Sequence, residues 1–193
     1  MRFILASGSP RRRDLLAKAG YAFEVHEAEA EEWPPGKYPF RKLCTANAAL
    51  KARDIAARYP EGVVLGADTM VGLDGEAMGK PRNIVEATGM LERLSGRVHE
   101  VCTGVCLCHG EEEHAFFEVT WVRFHELGEE VIKDYMERVH VMDKAGGYAI
   151  QEHGEMLVDK IEGSYENVVG LPIGRVKEEL QRIGIQPGGR REG

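Results

Sequence analysis

Apolar and polar positions follow two different periods along the chain, and the change between them predicts strands interleaved with helices. The apolar run Phe3–Ala6 predicts a first strand, which Ser7 and Gly8 interrupt. Ser9 and Pro10 then favour a helix start, because a serine hydroxyl caps free N–H groups and proline fits the first turn. The chain is therefore expected to open as strand, Gly/Ser turn and helix.

Helical spacing predicts four further helices, at residues 38–59, 83–94, 129–139 and 173–183. The second of these has a capping box, with Asn83 at its start and Glu86 three residues later. The first carries Asn47 and Asp54 on its apolar stripe, which is unusual for a purely structural face. Residues 164–165 and 170–172 are interpreted as turns.

Short apolar or alternating runs predict the strands. Residues 63–67 form a continuous apolar run typical of a strand buried on both faces, which we expect to end at Asp68-Thr69. Residues 71–73 are expected to enter a hairpin through Asp74-Gly75. Further strands are predicted at residues 100–108, 114–124, 148–150 and 156–161. Because helices alternate with strands and some strands are adjacent, the predicted class is mixed α/β.

Composition and charge narrow the possible partners. The 193 residues carry a net charge of −7, which argues against broad binding to nucleic acids or membranes. Residues 1–20 are the exception, since they carry five basic side chains and a single acidic one, Asp14. Such a local basic site suits a small anion. We expect a single domain at residues 1–185 and a flexible tail at 186–193. No signal peptide or membrane-spanning run is visible, so a cytoplasmic location is expected.

The four cysteines raise the question of a zinc site. Cys102, Cys106 and Cys108 precede His109, but their spacing lacks the paired C-x-x-C knuckles of structural zinc sites. They also lie in an alternating, strand-like run. Buried strand cysteines are therefore the better interpretation, and a reduced compartment follows.

The first candidate functional site is the segment from Ser7 to Arg12, which has the features of a phosphate-binding turn. A helix N-terminus attracts anions through its free N–H groups and its dipole, and the side chains of Arg11 and Arg12 match phosphate oxygens. The alternative is a capped surface helix with solvated arginines. The segment is not a Walker loop, because the Gly-Lys-Ser/Thr ending is absent.

Four other positions are weaker candidates. Asp68 follows a buried strand, where a carboxylate could hold a metal or accept a proton, although it could equally cap a turn. Lys80, between Gly79 and Pro81, could meet a phosphate or be solvated. Gln151 offers the donor and acceptor that base recognition requires, or it could be an outward-facing strand residue. Lys51 lies on the long helix and could reach inward.

Seven short motifs are distributed along almost the whole chain. They are L-A-S-G-S-P-R-R (5–12), K-A-R (51–53), G-A-D-T (66–69), G-K-P (79–81), L-S-G-R-V-H (94–99), D-K-A-G-G-Y-A-I-Q (143–151) and G-S-Y-E-N-V-V-G-L-P (163–172). Any one motif is weak evidence, but seven in this order are highly specific. With these motifs the chain resembles the Maf family of nucleotide pyrophosphatases almost from end to end.

The resemblance implies an elongated fold like that of inosine triphosphate pyrophosphatases, with a curved mixed sheet, two lobes, a central cleft and usually a homodimer. It implies hydrolysis of a nucleoside triphosphate to the monophosphate and pyrophosphate with a divalent cation, Mg²⁺, Mn²⁺ or Co²⁺. Asp68 matches the proton acceptor, and Glu32 matches an acidic position tied to metal and water, so both are candidate metal ligands. The phosphate-facing positions are matched by Ser7, Arg11, Arg12, Lys51 and Lys80.

The family has subtypes, and this chain resembles the one that acts on dTTP and UTP. The discriminating positions carry Arg12, Thr69 and Gln151 here, whereas Trp and His at the first and last would indicate 7-methylguanosine triphosphate. One departure is that the family continues I-Q-G, while here Glu152 and His153 precede the glycine. The alternatives are a nucleotide-binding regulator without turnover, in keeping with the family's link to division arrest, and an enzyme of the same fold that removes deaminated purines.

Overall fold

A single mixed sheet of seven strands organises the chain in the computed structural model, which describes residues 1–36 and 38–188. The strands are β1 (Phe3–Ala6), β2 (Glu24–Val25), β3 (Val63–Leu73), β4 (Glu76–Met78), β5 (Val98–His109), β6 (Glu112–Phe124) and β7 (Val158–Glu162). Their order is β2-β1-β3-β5-β6-β7, with β4 paired to β3. β1 is parallel to β2 and β3, and the other pairs are antiparallel.

Helices flank this sheet, which confirms the mixed α/β class. They are α1 (Pro10–Lys18), α2 (Phe40–Ala56), α3 (Ile84–Leu94), α4 (Glu129–Arg138), α5 (Tyr165–Val169) and α6 (Ile173–Arg182). The predicted cap of α3 is confirmed, since the Asn83 side chain accepts a hydrogen bond from the Glu86 N–H. The short α5 was missed, because Ser164-Tyr165 initiates a helix here instead of a turn, with Ser164 capping it.

The strand predicted at 63–67 is longer than expected, and the prediction that it ends at Asp68-Thr69 is wrong. β3 continues through both polar residues to Leu73, because β5 pairs with it in one unbroken antiparallel register from Val63 to Gly72. Consecutive strand residues point to opposite faces of a sheet. Asp68 and Thr69 are therefore adjacent in the chain but lie on different sides of β3.

The segment predicted as a strand at 148–150 forms none, so that prediction is also wrong. A 3₁₀ turn at Ala145–Gly147 precedes it, and positive φ angles of 70° at Gly146 and 75° at Gly147 turn the chain away from a ladder. The predicted strand at 156–161 is shifted to β7, since Gly154–Met156 forms another 3₁₀ turn. Residues 189–193 of the predicted tail lie outside the described residues.

Helices cover both faces of the central strands, but they approach the strand backbone much more closely on one face than on the other. On one face, α1 and α6 pack larger side chains such as Leu16 and Val176 against β1, β3 and β5. On the other face, α2 touches the strand backbone. A Cβ at Gly66 would overlap the Ala48 carbonyl oxygen, and a Cβ at Gly104 would overlap the backbone of Cys44. Glycine is therefore required where α2 crosses the sheet.

None of the helices in the two described ranges is long and apolar enough to span a membrane.

Substitution of Gly104 by alanine is expected to destabilise the protein by about 1–3 kcal/mol, because the added methyl group forces α2 away from β5. The matched control is Gly89→Ala, at a helical glycine with open space around its Cα, which should be neutral or stabilising. Chemical denaturation measures both. Equal stability of the two variants would contradict the close approach.

Stability should also depend on pH through His99, which is 1% exposed and bonded through Nε2 to the Tyr148 hydroxyl at 2.7 Å. Burial lowers the pKa of His99 from 6.5 to about 3. As the pH falls, the unfolded chain therefore takes up a proton on His99 before the folded protein does. The stability that the neutral His99 contributes above pH 6.5 is lost progressively as the pH falls toward the folded pKa of about 3. Between about pH 7.5 and about pH 5, the expected loss from this group is about 2 kcal/mol.

The variant His99→Gln should lose that part of the pH dependence, whatever its stability at neutral pH. His140→Gln, at an exposed histidine, serves as the control and should keep it. Urea unfolding across this pH range measures the slopes. Identical slopes for His99→Gln and the unchanged protein would refute the assignment.

Candidate active site

A cleft of about 590 Å³ opens where the strand β3 lacks a neighbour on one edge. β1 pairs with β3 only as far as Gly66, and β4 pairs with it from Val71 onward. Residues 67–70 lie in the gap between them, beside the turn that leads from β1 into α1. All nine residues singled out from the sequence line this cleft: Ser7, Arg11, Arg12, Glu32, Lys51, Asp68, Thr69, Lys80 and Gln151.

Lys51 joins the two candidate acidic residues. Its Nζ lies 2.9 Å from Asp68 Oδ1 and 2.8 Å from Glu32 Oε1. Lys51 reaches this position because Gly66, two residues before Asp68 on the same face of β3, lets α2 rest on the strand backbone. The sequence prediction that Lys51 reaches inward is confirmed.

Asn47, one turn before Lys51 on α2, fixes the loop that carries Glu32. Its Oδ1 accepts the Trp33 N–H at 2.8 Å, and its Nδ2 lies 3.3 Å from both the Trp33 carbonyl oxygen and Asp68 Oδ2. The side chain is fully buried. Sequence reasoning found Asn47 on the helix stripe but gave it no role. Its unusual polarity was the signal.

The electrostatic setting keeps Glu32 ionised. Partial burial raises the pKa of Glu32, but the hydrogen bond and charge of Lys51, with the charges of Lys80 and Arg12, outweigh it and lower the pKa below the ordinary value. Three cationic side chains therefore act together on the Glu32 carboxylate. An anion entering here meets a site rich in cations.

Arg12 is buried and holds three elements together. Its Nε donates to the Gly170 carbonyl oxygen at 2.8 Å, one terminal nitrogen to Ser7 Oγ at 3.0 Å, and the other to Thr69 Oγ1 at 3.0 Å. Burial lowers the pKa of Arg12, and the nearby Asp68 carboxylate opposes this. Arg12 thus fixes the Ser7 turn, β3 and the end of α5 around the cleft.

Behind Thr69 lie two residues that sequence reasoning missed. Thr69 Oγ1 lies 2.9 Å from Thr103 Oγ1, and Thr103 donates to the Asn167 carbonyl oxygen at 3.0 Å. The Asn167 side chain donates to the Val101 carbonyl oxygen and to Thr120 Oγ1, which fixes α5 on β5 and β6. Asn167 falls inside the motif at 163–172, but only its neighbours in space reveal its role.

Arg11 points to another part of the cleft. Its terminal nitrogen lies 3.4 Å from Asp143 Oδ2, and Asp143 also accepts from Lys144 Nζ at 2.9 Å. Burial raises the pKa of Asp143, but the hydrogen bond and charge of Lys144 and the charge of Arg11 outweigh it and lower the pKa. In contrast to Arg12, Arg11 is partly exposed and its only ion pair among the described residues is a long one.

Ser9, Lys80 and Gln151 complete the rim. Ser9 stands at the N-terminus of α1 as predicted, but its side chain makes no capping hydrogen bond to the described residues. Lys80 and Gln151 are exposed at the mouth of the cleft. Glu27, which sequence reasoning did not select, packs its carboxylate against Gly8, where a Cβ would lie 2.5 Å from Glu27 Oε1.

The carboxylate oxygens of Glu32 and Asp68 are suitable ligands for a hard divalent cation. Mg²⁺ and similar ions prefer carboxylate oxygens. Lys51 Nζ already bridges one oxygen of each carboxylate, which shows that both side chains turn toward a common cationic position. Glu32 Oε2 is then a candidate ligand atom beside the ammonium group, as is Asp68 Oδ2, which also accepts the hydrogen bond from Asn47.

Proteins of a known family resemble this chain in sequence over nearly its whole length. The family model described as "Maf-like protein" matches residues 2–183. A dTTP/UTP pyrophosphatase of Akkermansia muciniphila is 46% identical over 183 residues, covering 95% of this chain and 97% of the relative. A dTTP/UTP pyrophosphatase of Symbiobacterium thermophilum is 47% identical over 181 residues, covering 94% and 93%.

Among solved structures, a nucleoside-triphosphatase (dITP/XTP pyrophosphatase) of Mycobacterium abscessus matches with a TM-score of 0.45 and 18% identity, over 66% of this chain and 76% of that chain. The family match extends over nearly the whole chain and includes every element that lines the cleft. The chain therefore belongs to the Maf family.

Proposed function

We propose that this protein is a nucleotide pyrophosphatase that hydrolyses dTTP and UTP to the monophosphate and pyrophosphate. The observation that carries the proposal is the Glu32–Lys51–Asp68 cluster, which opens onto the same cleft as the N-terminus of α1. A carboxylate for proton transfer and cations for phosphate charge then share one site. The names of the relatives supply the substrate class.

In the proposed reaction, Asp68 orients a water molecule and accepts its proton as the water attacks the α-phosphorus. Lys51 fixes the Asp68 carboxylate through Oδ1, and Asn47 restrains Oδ2. Such positioning lowers the barrier, because the base need not reorient during attack. Glu32 supports the same water from the other side of Lys51.

Pyrophosphate leaves toward the cationic side of the cleft. Arg11, Lys80 and the free N–H groups at the start of α1 meet the charge that develops on its oxygens, and stabilising that charge is the main catalytic contribution in phosphoryl transfer. Ser7, whose hydroxyl accepts from Arg12, shapes this turn. A divalent cation (Mg²⁺, Mn²⁺ or Co²⁺) held by Glu32 and Asp68 would neutralise further phosphate charge when bound.

Base selection falls mainly to Gln151. The Thr69 hydroxyl and three Arg12 donors are already engaged with protein partners, so these residues set the shape of the pocket floor. Gln151 is exposed at the rim and offers both a donor and an acceptor to a pyrimidine edge. We propose removal of unwanted nucleotides or control of division as the biological role, while the homodimer and the cytoplasmic location stay predictions.

The variant Asp68→Asn keeps the size of the side chain but removes the proton acceptor. With dTTP and Mg²⁺, kcat should fall by about 10²–10⁴-fold, the usual contribution of general acid–base catalysis, with a smaller change in KM. Release of pyrophosphate measures the rate. Asp74→Asn, at an exposed turn residue, is the matched control and should retain full activity.

Near-normal kcat in Asp68→Asn would exclude Asp68 as the base. Absence of turnover in the unchanged protein, with nucleotide still bound, would instead support the regulator without turnover.

The proposed role of Gln151 predicts a change in nucleotide preference. Replacement by alanine should lower kcat/KM for dTTP and UTP by about 10–100-fold, because hydrogen bonds to the base are lost. Activities toward dTTP, UTP, CTP, ITP and 7-methyl-GTP are compared for the variant and for Glu155→Gln, an exposed neighbour that should behave like the unchanged protein. An equal loss on all five nucleotides would show that Gln151 does not read the base.

A further inference from the structure

A second cluster of ligand atoms lies at the other end of the contact between α2 and the sheet. Cys106 and Cys108 are two residues apart on β5 and therefore share the α2-facing side of the sheet. Glu113, on β6, pairs directly with Cys108 across the hairpin. This cluster belongs to neither the cleft nor its lining.

The spacing of the three donors suits one metal ion. The Cys106 and Cys108 sulfur atoms lie 4.0 Å apart. Two thiolates bound tetrahedrally to zinc at about 2.3 Å lie about 3.8 Å apart, so the pair needs little movement. A carboxylate oxygen of Glu113 and the two sulfurs all lie within 4.8 Å of one another.

Arg53 of α2 holds the carboxylate in place. It donates to both oxygens of Glu113, at 2.6 and 2.7 Å. A carboxylate can accept about four hydrogen bonds or ligands, so a metal ion can bind beside the guanidinium group. Such an outer partner is typical of metal sites, where it orients the ligand. Its positive charge also offsets the third negative ligand.

The cluster reaches the surface at Glu113. Cys106 is fully buried and Cys108 is 5% exposed, while the Glu113 side chain is 32% exposed. An ion could therefore enter past Glu113 at the hairpin end and meet both thiols, with a water molecule as the fourth ligand.

We propose that Cys106, Cys108 and Glu113 form a site for a thiophilic divalent cation of the zinc class. Binding replaces the two thiol protons, which are released to solvent as the two metal–sulfur bonds form. The spacing of the cysteines alone argued against zinc because it lacks a paired motif, but the third ligand comes from the partner strand. Neither Cys102 nor His109 takes part.

Cobalt tests the site, because thiolate ligands give Co²⁺ an intense near-ultraviolet charge-transfer band that oxygen ligands do not give. Titration of the reduced protein should produce this band at about one equivalent, and Zn²⁺ should abolish it. The double variant Cys106→Ser/Cys108→Ser should lack the band. Glu113→Gln, which keeps both thiols and lies at the exposed edge, should weaken Co²⁺ binding at least about tenfold.

Two controls separate this site from other cobalt binding. Cys44→Ser removes a buried thiol that donates to the Cys102 carbonyl oxygen, and it should leave the band unchanged. Asp68→Asn alters the cleft and should also leave it unchanged. The absence of a band in the unchanged protein, its persistence in the double variant, or unaltered affinity in Glu113→Gln would overturn the proposal.

Discussion

The direct contact of α2 with the backbone of β3 and β5 is the constraint on which the rest of the site depends. Gly66 and Gly104 leave no room for a side chain between helix and sheet. Because of this, Asn47 and Lys51 project past the strands instead of packing over them. Lys51 can then reach the Asp68 carboxylate, and Asn47 can hold the Glu32 loop beside it. The arrangement of these four side chains therefore follows from the close approach of the α2 backbone to the strands.

The same strand serves a second purpose on its opposite face. Asp68 faces α2, whereas Thr69 faces Arg12 and the end of α5. In the proposed mechanism, one strand therefore carries the proton acceptor on one side and shapes the nucleotide pocket on the other. The Thr69–Thr103–Asn167 chain of hydrogen bonds ties the second side to β5, which also carries Gly104. A shift of β5 would disturb both sides together.

The sequence reveals the members of the site but not all of their roles. Local patterns were sufficient for the turn at Ser7, the cap of α3 and the polar stripe of α2, since each depends on neighbours within a few residues. The place of Arg12 beside a helix N-terminus predicts phosphate binding, and this stays a prediction. The bond of Arg12 to the Gly170 carbonyl oxygen joins residues 158 positions apart, and no local pattern encodes it. The register of β5 on β3, which carries β3 past Asp68, is equally nonlocal.

Glu152 and His153 stand where the family pattern continues with glycine, and the charge of Glu152 is matched by a nearby lysine. His153 takes the left-handed conformation at φ 54°, and Gly154 is buried against Ile150, so the displaced glycine still closes the turn. Glu152 then lies 3.4 Å from Lys144, which pairs with Asp143, which in turn pairs with Arg11. Alternating charges thus connect the loop of Gln151 to α1, the helix proposed to face the phosphates. The Glu152 carboxylate offsets the buried charge of Lys144, and through Lys144 and Asp143 the rim at Gln151 is tied to Arg11 at the start of α1.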